Sequence, residues 1–305
     1  MNEERPRTPM NEGRAPLVPL LTVTLAAIFV LVVWGGIVRL SGSGLAIPDW
    51  PLAEGKLLPR AHPNVLIEYI HRVLAGIVGL LTIAIAFVLY RDRVWRPRLG
   101  RTMAAALVVL ALQVFMGARV VLEELPVDRV VTHLLLAFLF FGILLSMTLQ
   151  VQDGPGGREP TEDRRALRLS AWAGAASVLV LAQVALGGWV SSAGAALACL
   201  DFPTCHGTLF PRMEGLVGIH YAHRLGAYLV TLVVIGLLVR SATVPLPARA
   251  RWILRISGIL LGLQFALGVG NVLLLLPLPV SAAHLGTALI LFGSLRIAHH
   301  ELARA

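Results

Sequence analysis

The chain has 305 residues, of which 57% are hydrophobic and 14% are charged, against about a quarter charged in a typical soluble domain. The apolar residues occur in long runs with few charges, so the composition excludes a disordered protein and most soluble enzymes. The net charge of +9 raises the question of a nucleic-acid partner, which the positions of the charges decide.

Eight apolar segments are long enough to cross a bilayer as a helix, which takes about 20 residues. In chain order they are predicted at 17–38, 65–90, 102–122, 130–151, 169–191, 216–239, 253–276 and 280–297. We therefore expect an all-α integral membrane protein with eight transmembrane helices, rather than a soluble protein with a large buried core. The first segment is too long for a signal peptide and is expected to stay as a helix.

The basic residues indicate how these helices are oriented, because Lys and Arg concentrate in cytoplasmic loops. With the N-terminus inside, 18 of the 26 Lys and Arg residues fall on cytoplasmic segments. Both termini are therefore predicted to be cytoplasmic, in a bacterial inner membrane. The positive excess is a signal of topology, and no nucleic-acid partner is needed to explain it.

The two halves of the chain are predicted to be repeats. At an offset of 152 residues, D-W-P at 49–51 aligns with D-F-P at 201–203, and E-Y-I-H-R at 68–72 aligns with H-Y-A-H-R at 220–224. Each half has an even number of helices, so two tandem, similarly oriented four-helix bundles are expected. The predicted parts are an N-terminal tail (1–16), a first bundle (17–151), a cytoplasmic linker (152–168), a second bundle (169–298) and a C-terminal tail (299–305).

Four of the nine histidines are predicted near the outer ends of helices 2, 4, 6 and 8: His71, His133, His223 and His284. A single histidine in a span is commonly a hydrogen-bonded core residue, but four at matched depth favour ligands. Zinc would need a third or fourth ligand and a proton relay needs chains of acids, whereas haem iron accepts one imidazole from each side. Two bis-histidine haem sites, one in each bundle, are therefore predicted.

Four further histidines are less informative. His62 and His206 fall in outer loops, and His299 and His300 fall in the predicted tail, so all four are expected at the surface. A Q-x-x-x-G pattern recurs in helices 3, 5 and 7, and close helix packing is the favoured explanation of its glycines.

Three arginines inside the spans have two interpretations. Arg72 and Arg224 directly follow predicted ligands, and Arg119 lies near the outer end of helix 3. A buried arginine needs an anion nearby, which makes each a candidate for contact with a haem propionate. The alternative is that these side chains extend to lipid headgroups.

The two halves differ at one charged position, where Glu68 aligns with His220. Glu68 lies three residues before His71 and therefore on the same helix face. A carboxylate there could accept a proton or stabilise a developing cation beside a bound haem. Its alternative role is an ion pair with Arg72. The difference predicts that one half reacts while the other carries electrons.

Cys199 and Cys205 lie in the second large outer loop, where the environment is oxidising. Their spacing permits a disulfide. Such a bond would be either redox-active or a staple of the loop, and the staple is favoured.

These motifs together resemble the haem A synthase family, bacterial and mitochondrial, over about residues 17–298. R-L-S-G-S-G-L-A-I-P-D-W-P at 39–51, E-Y-I-H-R at 68–72, the later histidines and the C-x5-C of the outer loop carry the resemblance. It implies a membrane enzyme that oxidises the C8 methyl group of haem O to a formyl group, giving haem A for cytochrome c oxidase. The implied residues are His71 and His133 as axial ligands of haem O, His223 and His284 as axial ligands of a prosthetic haem b, Glu68 as the essential acid, and a Cys199–Cys205 disulfide.

One departure from the family is visible. Many members carry a further cysteine pair in the first outer loop, but G-L-A-I-P at 44–48 contains no cysteine. A mechanism that requires that first pair cannot operate here.

The partners that the resemblance implies are haem O, a haem O synthase (protohaem farnesyltransferase), cytochrome oxidase assembly proteins and the lipid bilayer. A di-haem b-type cytochrome that carries electrons from quinol is the alternative, and it explains the four histidines but not the difference between Glu68 and His220. A transporter with a four-plus-four repeat leaves the histidines without a role.

Overall fold

The computed structural model describes residues 14–53, 55, 56 and 58–305. Their regular structure is eight α-helices, with two isolated β-bridges in the outer loops. The helices are α1 (Arg14–Leu40), α2 (Pro63–Arg91), α3 (Arg96–Leu122), α4 (Val127–Asp153), α5 (Arg164–Ser192), α6 (Gly215–Ser241), α7 (Ala248–Leu273) and α8 (Leu278–Leu302). All eight are long and apolar enough to cross a membrane, which confirms the predicted all-α fold with eight transmembrane helices.

Local signals set several helix ends. A proline occupies one of the first positions of α2, α3 and α8, where its missing N–H is not needed. Asp163 caps α5 by accepting a hydrogen bond from the backbone N–H of Arg165 at 2.8 Å, so this helix begins inside the predicted linker. His62 and His206 are exposed, as predicted, in the loops that precede α2 and α6; the position of these loops on the outer side stays a prediction.

The last helix is longer than predicted. Because α8 ends at Leu302, it includes His299 and His300, which the prediction had assigned to a tail. The expectation that both are surface residues is wrong for His300, which is 9% exposed and lies 2.8 Å from Asp153. His299 lies 3.0 Å from the hydroxyl of Ser170. Polar contacts with α4 and α5 stabilise the last turns of α8, so this helix extends beyond the end of the apolar pattern.

The helices contact one another in two rings of four. In each half the first helix packs on the second, the second on the third, the third on the fourth, and the fourth on the first. The halves meet through α4 with α5, α1 with α8, and α4 with α8. These contacts support an arrangement of two bundles side by side. The outermost helices, α3 and α7, expose large apolar residues such as Val108 and Ile259, as lipid-facing helices do.

Glycines on α1 and α5 allow the halves to approach closely. A β-carbon on Gly36 would lie 2.6 Å from Leu285 of α8, and one on Gly188 would lie 3.3 Å from Leu134 of α4. Leu134 and Leu285 occupy corresponding positions of the repeat, because the last two helices of each half align at an offset of 151 residues. Each half therefore receives an equivalent side chain from the other, as small residues at membrane helix interfaces permit.

Candidate functional site

Each of the four predicted ligands packs against a glycine of the preceding helix. The pairs are His71 with Gly35, His133 with Gly117, His223 with Gly187 and His284 with Gly268. A β-carbon on any of these glycines would come within 2.9–3.2 Å of the Cε1 atom of the ring. That is closer than ordinary van der Waals contact, so each ring depends on its glycine. The Q-x-x-x-G pattern supplies three of the four.

The four rings form two pairs, one in each half. His71 lies close enough to His133 for an electrostatic interaction, and His223 lies similarly close to His284. The rings are roughly 9 to 12 Å from the start of their helices, at about 1.5 Å per residue. The pairs therefore share one layer near the N-terminal ends of α2, α4, α6 and α8, one pair in each half.

The ring nitrogens of the four histidines differ in their polar contacts. Nδ1 of His71 is buried and has no hydrogen-bond partner among the described residues, whereas the backbones of Gln113 and Gln264 lie within reach of the rings of His133 and His284. A buried polar atom without a partner is costly. The described part of the chain contains no group of three or more side chains suited to a metal ion. Two neutral imidazoles on facing helices fit the axial ligation of a haem iron, which needs one ligand on each side.

Glutamines approach the ligands of the second half. The amide nitrogen of Gln183 lies 3.0 Å from Nδ1 of His223 and donates to the backbone carbonyl of that residue at 2.8 Å. The amide nitrogen of Gln264 lies 3.3 Å from Nε2 of His284. Leu31 occupies the position 152 residues before Gln183, so no corresponding glutamine serves the first half there.

Glu68 lies beneath the first outer loop. It is 3% exposed, and one carboxylate oxygen accepts a hydrogen bond from the backbone N–H of Ile47 at 2.8 Å. The other accepts from Arg72 at 2.6 Å, which is the ion pair that the sequence offered as an alternative role. The carboxylate is therefore held in place one helical turn before His71.

His220 takes the corresponding place in the second half. It is 4% exposed, its Nδ1 lies 3.3 Å from the backbone nitrogen of Cys199, and its Nε2 lies 3.3 Å from Nε of Arg224. Both halves therefore have a loop N–H and an arginine at this place, and the side chain between them is Glu68 in the first half and His220 in the second.

The two arginines of the Y-x-H-R motifs bind the outer loops. Arg72 donates to the carbonyl oxygens of Ile47, Asp49 and Leu52, and Arg224 donates to those of Cys199 and Thr204, at 2.7–2.9 Å. Two of these carbonyls correspond between the halves at the 152-residue offset. The loop carbonyls explain how a buried arginine is tolerated at each place. The predicted contacts of Arg72 and Arg224 with haem propionates stay predictions.

The two D-[WF]-P motifs close the turns of the same loops. A carboxylate oxygen of Asp49 accepts from the N–H of Gly55 at 2.8 Å, and one of Asp201 accepts from the N–H of Gly207 at 2.9 Å. Both glycines have positive φ, at 70° and 77°. Hydrogen bonds from the Thr204 hydroxyl and from the backbone hold the pKa of Asp201 well below its usual range. These polar motifs therefore shape the loops.

A disulfide joins Cys199 to Cys205 in the second loop, as the resemblance implies. The corresponding positions of the first loop hold Ile47 and Ala53, which are 0% and 3% exposed. These two residues pack with Val65 in a small apolar cluster. The first loop is therefore held by apolar contacts at the two positions where the second loop has a disulfide.

Arg119 lies in an ionic cluster at the outer end of α3. It pairs with Glu123, which also accepts a hydrogen bond from Arg129 at 3.1 Å. The hydrogen bond from Arg119 is the main reason why the pKa of Glu123 is lowered. The predicted contact of Arg119 with a propionate stays a prediction.

Sequence patterns did not indicate two features of this arrangement. The correspondence of Ile47 and Ala53 with the cysteines would have followed from extending the 152-residue offset to the cysteines. The bonds from the arginines to loop carbonyls left no signal in the sequence, because any residue type supplies a carbonyl oxygen.

The fold is that of a multi-pass helical membrane protein, and each of its two similar halves brings two histidines close together. The chain belongs to the COX15-CtaA family, described as cytochrome oxidase assembly protein, whose model matches residues 19–295. It is 29% identical to the heme A synthase of Nitrosospira multiformis, over 95% of this chain and 94% of that one. It is 32% identical to the heme A synthase of Symbiobacterium thermophilum, over 70% of this chain and 71% of that one. The heme A synthase of Shewanella oneidensis is 29% identical, over 90% of this chain and 93% of its own.

Proposed function

We propose that this protein is a haem A synthase, which oxidises the C8 methyl group of haem O to a formyl group for cytochrome c oxidase. The single observation that carries the proposal is the presence of two histidine pairs, each ring seated on a glycine, in a chain that matches the family over most of its length. The relatives named heme A synthase support the same reaction.

The first half is the proposed substrate site. His71 and His133 would take the axial positions of haem O. Gly35 and Gly117, which lie on the preceding helices, leave room for the two rings. Arg72 and the backbone N–H of Ile47 fix the orientation of Glu68 beside this pair. Glu68 would accept a proton from the reacting methyl group or stabilise positive charge that develops there.

The second half is the proposed electron-transfer site. His223 and His284 would hold haem b, which supplies one-electron transfer when it is bound. Gln183 would restrict the orientation of the His223 ring, as groups hydrogen-bonded to metal-ligating histidines commonly do. His220 replaces the acid in this half and leaves no carboxylate there to assist oxidation. This difference favours the synthase over a di-haem cytochrome that only carries electrons.

The proposed setting follows from the same assignments. The bundles of residues 17–151 and 169–298 would lie in a bacterial inner membrane with both termini cytoplasmic, so that both histidine pairs lie towards the outer face. Haem O would arrive from a haem O synthase (protohaem farnesyltransferase), and the product would pass to cytochrome oxidase assembly proteins.

The test is haem extraction from cells that make haem O, with and without this protein, followed by chromatography. We expect haem A only when the protein is present. Cells with a known synthase serve as the positive control, and haem O without haem A in the test strain alone would contradict the proposal. Glu68→Gln should retain haem b and yield no haem A, whereas Glu214→Gln, which changes an exposed acid at the start of α6, should behave as the parent.

A further inference from the structure

We propose that a cavity between α4 and α8, at the end of the molecule opposite the loops of the histidine sites, binds a phosphate group. The cavity has a volume of about 180 Å³, and its lining includes Ser146, Gln150, Arg296, His299, His300 and Arg304. Arg296 follows His284 on α8 by roughly 18 Å at about 1.5 Å per residue, so the cavity is separate from the proposed haem sites. The proposal does not depend on the proposed function.

Arg296 is a cation without an anion. It lies within α8, and its hydrogen bond is a long one of 3.4 Å to the hydroxyl of Ser146. No acidic side chain among the described residues pairs with it. An arginine in a membrane helix is costly unless an anion or water compensates its charge. Because Arg296 lies in the cavity wall, a ligand bound in the cavity can supply the compensating negative charge.

The acids near the cavity are already bound by other cations. Asp153 pairs with Arg158 at 2.8 Å, with His300 at 2.8 Å and with Arg304 at 3.4 Å. Asp153 therefore cannot neutralise Arg296 as well.

The second acid is committed in the same way. Glu301 is 3% exposed and pairs with Arg158 at 3.0 Å and with Arg249 at 3.2 Å. Two carboxylates thus face four arginines: Arg158, Arg249, Arg296 and Arg304. The cluster therefore carries more positive than negative charge.

A phosphate group would supply the negative charge that the arginines of this cluster lack. Guanidinium groups bind phosphate oxygens through paired N–H donors, and basic pockets between membrane helices bind lipid headgroups. At about 30 Å³ per water molecule, the cavity has room for a phosphate group but not for a whole lipid. The repeat does not supply a second such arginine, because Leu145 stands in α4 where Arg296 stands in α8, at an offset of 151 residues. The phosphate could come from an anionic lipid or from solution.

The experiment uses the purified full-length protein in detergent and native mass spectrometry. One arm adds phosphatidylglycerol or phosphatidylcholine with the same acyl chains, and the other adds inorganic phosphate at constant ionic strength. We expect about five- to ten-fold tighter binding of phosphatidylglycerol than of phosphatidylcholine, and loss of that preference in Arg296→Gln. Arg240→Gln, an exposed arginine at the same end on α6, should leave the preference unchanged.

The outcomes separate the sources and can overturn the proposal. Binding of inorganic phosphate that Arg296→Gln abolishes would support the same site with a soluble ligand. Equal binding of the two lipids with no binding of inorganic phosphate, or binding that Arg296→Gln leaves intact, would overturn it. Arg296→Lys, which keeps the charge without the paired donors, should retain partial binding. The thermal unfolding midpoint of each variant without lipid reports whether it is folded.

Discussion

The two halves share the same loop contacts beside their histidine pairs, and they differ in the side chain that these contacts surround. In both, an arginine binds the loop carbonyls, an aspartate closes the turn, and a loop N–H points at the residue three positions before the first histidine of the pair. In the first half that residue is Glu68, and the loop is held by apolar packing. In the second half it is His220, and a disulfide holds the loop. A shared scaffold can therefore support two different chemical roles with few changes.

The largest expected effect separates the two histidine pairs. His223→Ala should lose the prosthetic haem b, with the haem content of the purified protein falling at least about ten-fold, because an axial ligand is removed. His71→Ala should keep haem b and lose haem A formation. The measurement is the haem-to-protein ratio from the visible spectrum of each variant.

The exposed His62 provides the control, and His62→Ala should keep both properties. Equal loss of haem b in His71→Ala and His223→Ala would contradict the assignment, and loss in His71→Ala alone would reverse the roles of the two halves.

The second effect concerns the acid. Glu68→His copies the second half into the first and should lower haem A formation by about 100-fold or more, the usual scale for a lost acid–base group. Haem b content should stay as in the parent. Chromatography of extracted haems gives the first quantity and the visible spectrum gives the second.

The reciprocal change tests whether the scaffold accepts either residue. His220→Glu should fold and retain haem b, because Arg224 and the N–H of Cys199 can serve a carboxylate as Arg72 and Ile47 do. Unfolded protein from His220→Glu would show that the two enclosures are not equivalent.

The third effect is on stability and compares the arginines. Arg72→Ala leaves the carboxylate of Glu68 buried without its ion partner and should lower the free energy of unfolding by about 3–5 kcal/mol. Arg224→Ala leaves only loop carbonyls and a histidine and should cost about 1–3 kcal/mol. Unfolding in detergent, followed by circular dichroism, measures both. Adding Glu68→Gln to Arg72→Ala should recover part of the loss, and no recovery would mean that the ion pair contributes little.

The fourth effect concerns the disulfide. Cys199→Ser with Cys205→Ser should lower the free energy of unfolding by about 2 kcal/mol, the loop-closure contribution of a short loop. Haem A formation should persist, because the first loop keeps its shape with Ile47 and Ala53 in the corresponding positions. Complete loss of haem A formation in a folded double variant would instead indicate that the disulfide takes part in the redox reaction.

The helices were predictable, and the matched positions of the four histidines were visible, because both leave periodic or aligned signals in the sequence. Long apolar runs mark the spans, an offset of 152 residues aligns His71 with His223, and an offset of 151 aligns His133 with His284. The boundary of α8 was not predictable from hydropathy, because His299 and His300 continue the helix through contacts with Ser170 and Asp153. These contacts join residues more than 120 positions apart, and no local pattern reports them.

The smallest effect compares the groups behind the ligands. Gln183 contacts His223, whereas Leu31 stands at the corresponding position behind His71. A ligating histidine with a hydrogen-bonded neighbour commonly binds its metal about 10- to 100-fold more tightly. Gln183→Leu should therefore release haem b about ten-fold faster to an apohaem-binding acceptor protein, with little change in the visible spectrum. Leu31→Gln should leave haem b release unchanged, because it alters the other half. Equal release rates in Gln183→Leu and the parent protein would show that the glycine contact alone orients the His223 ring.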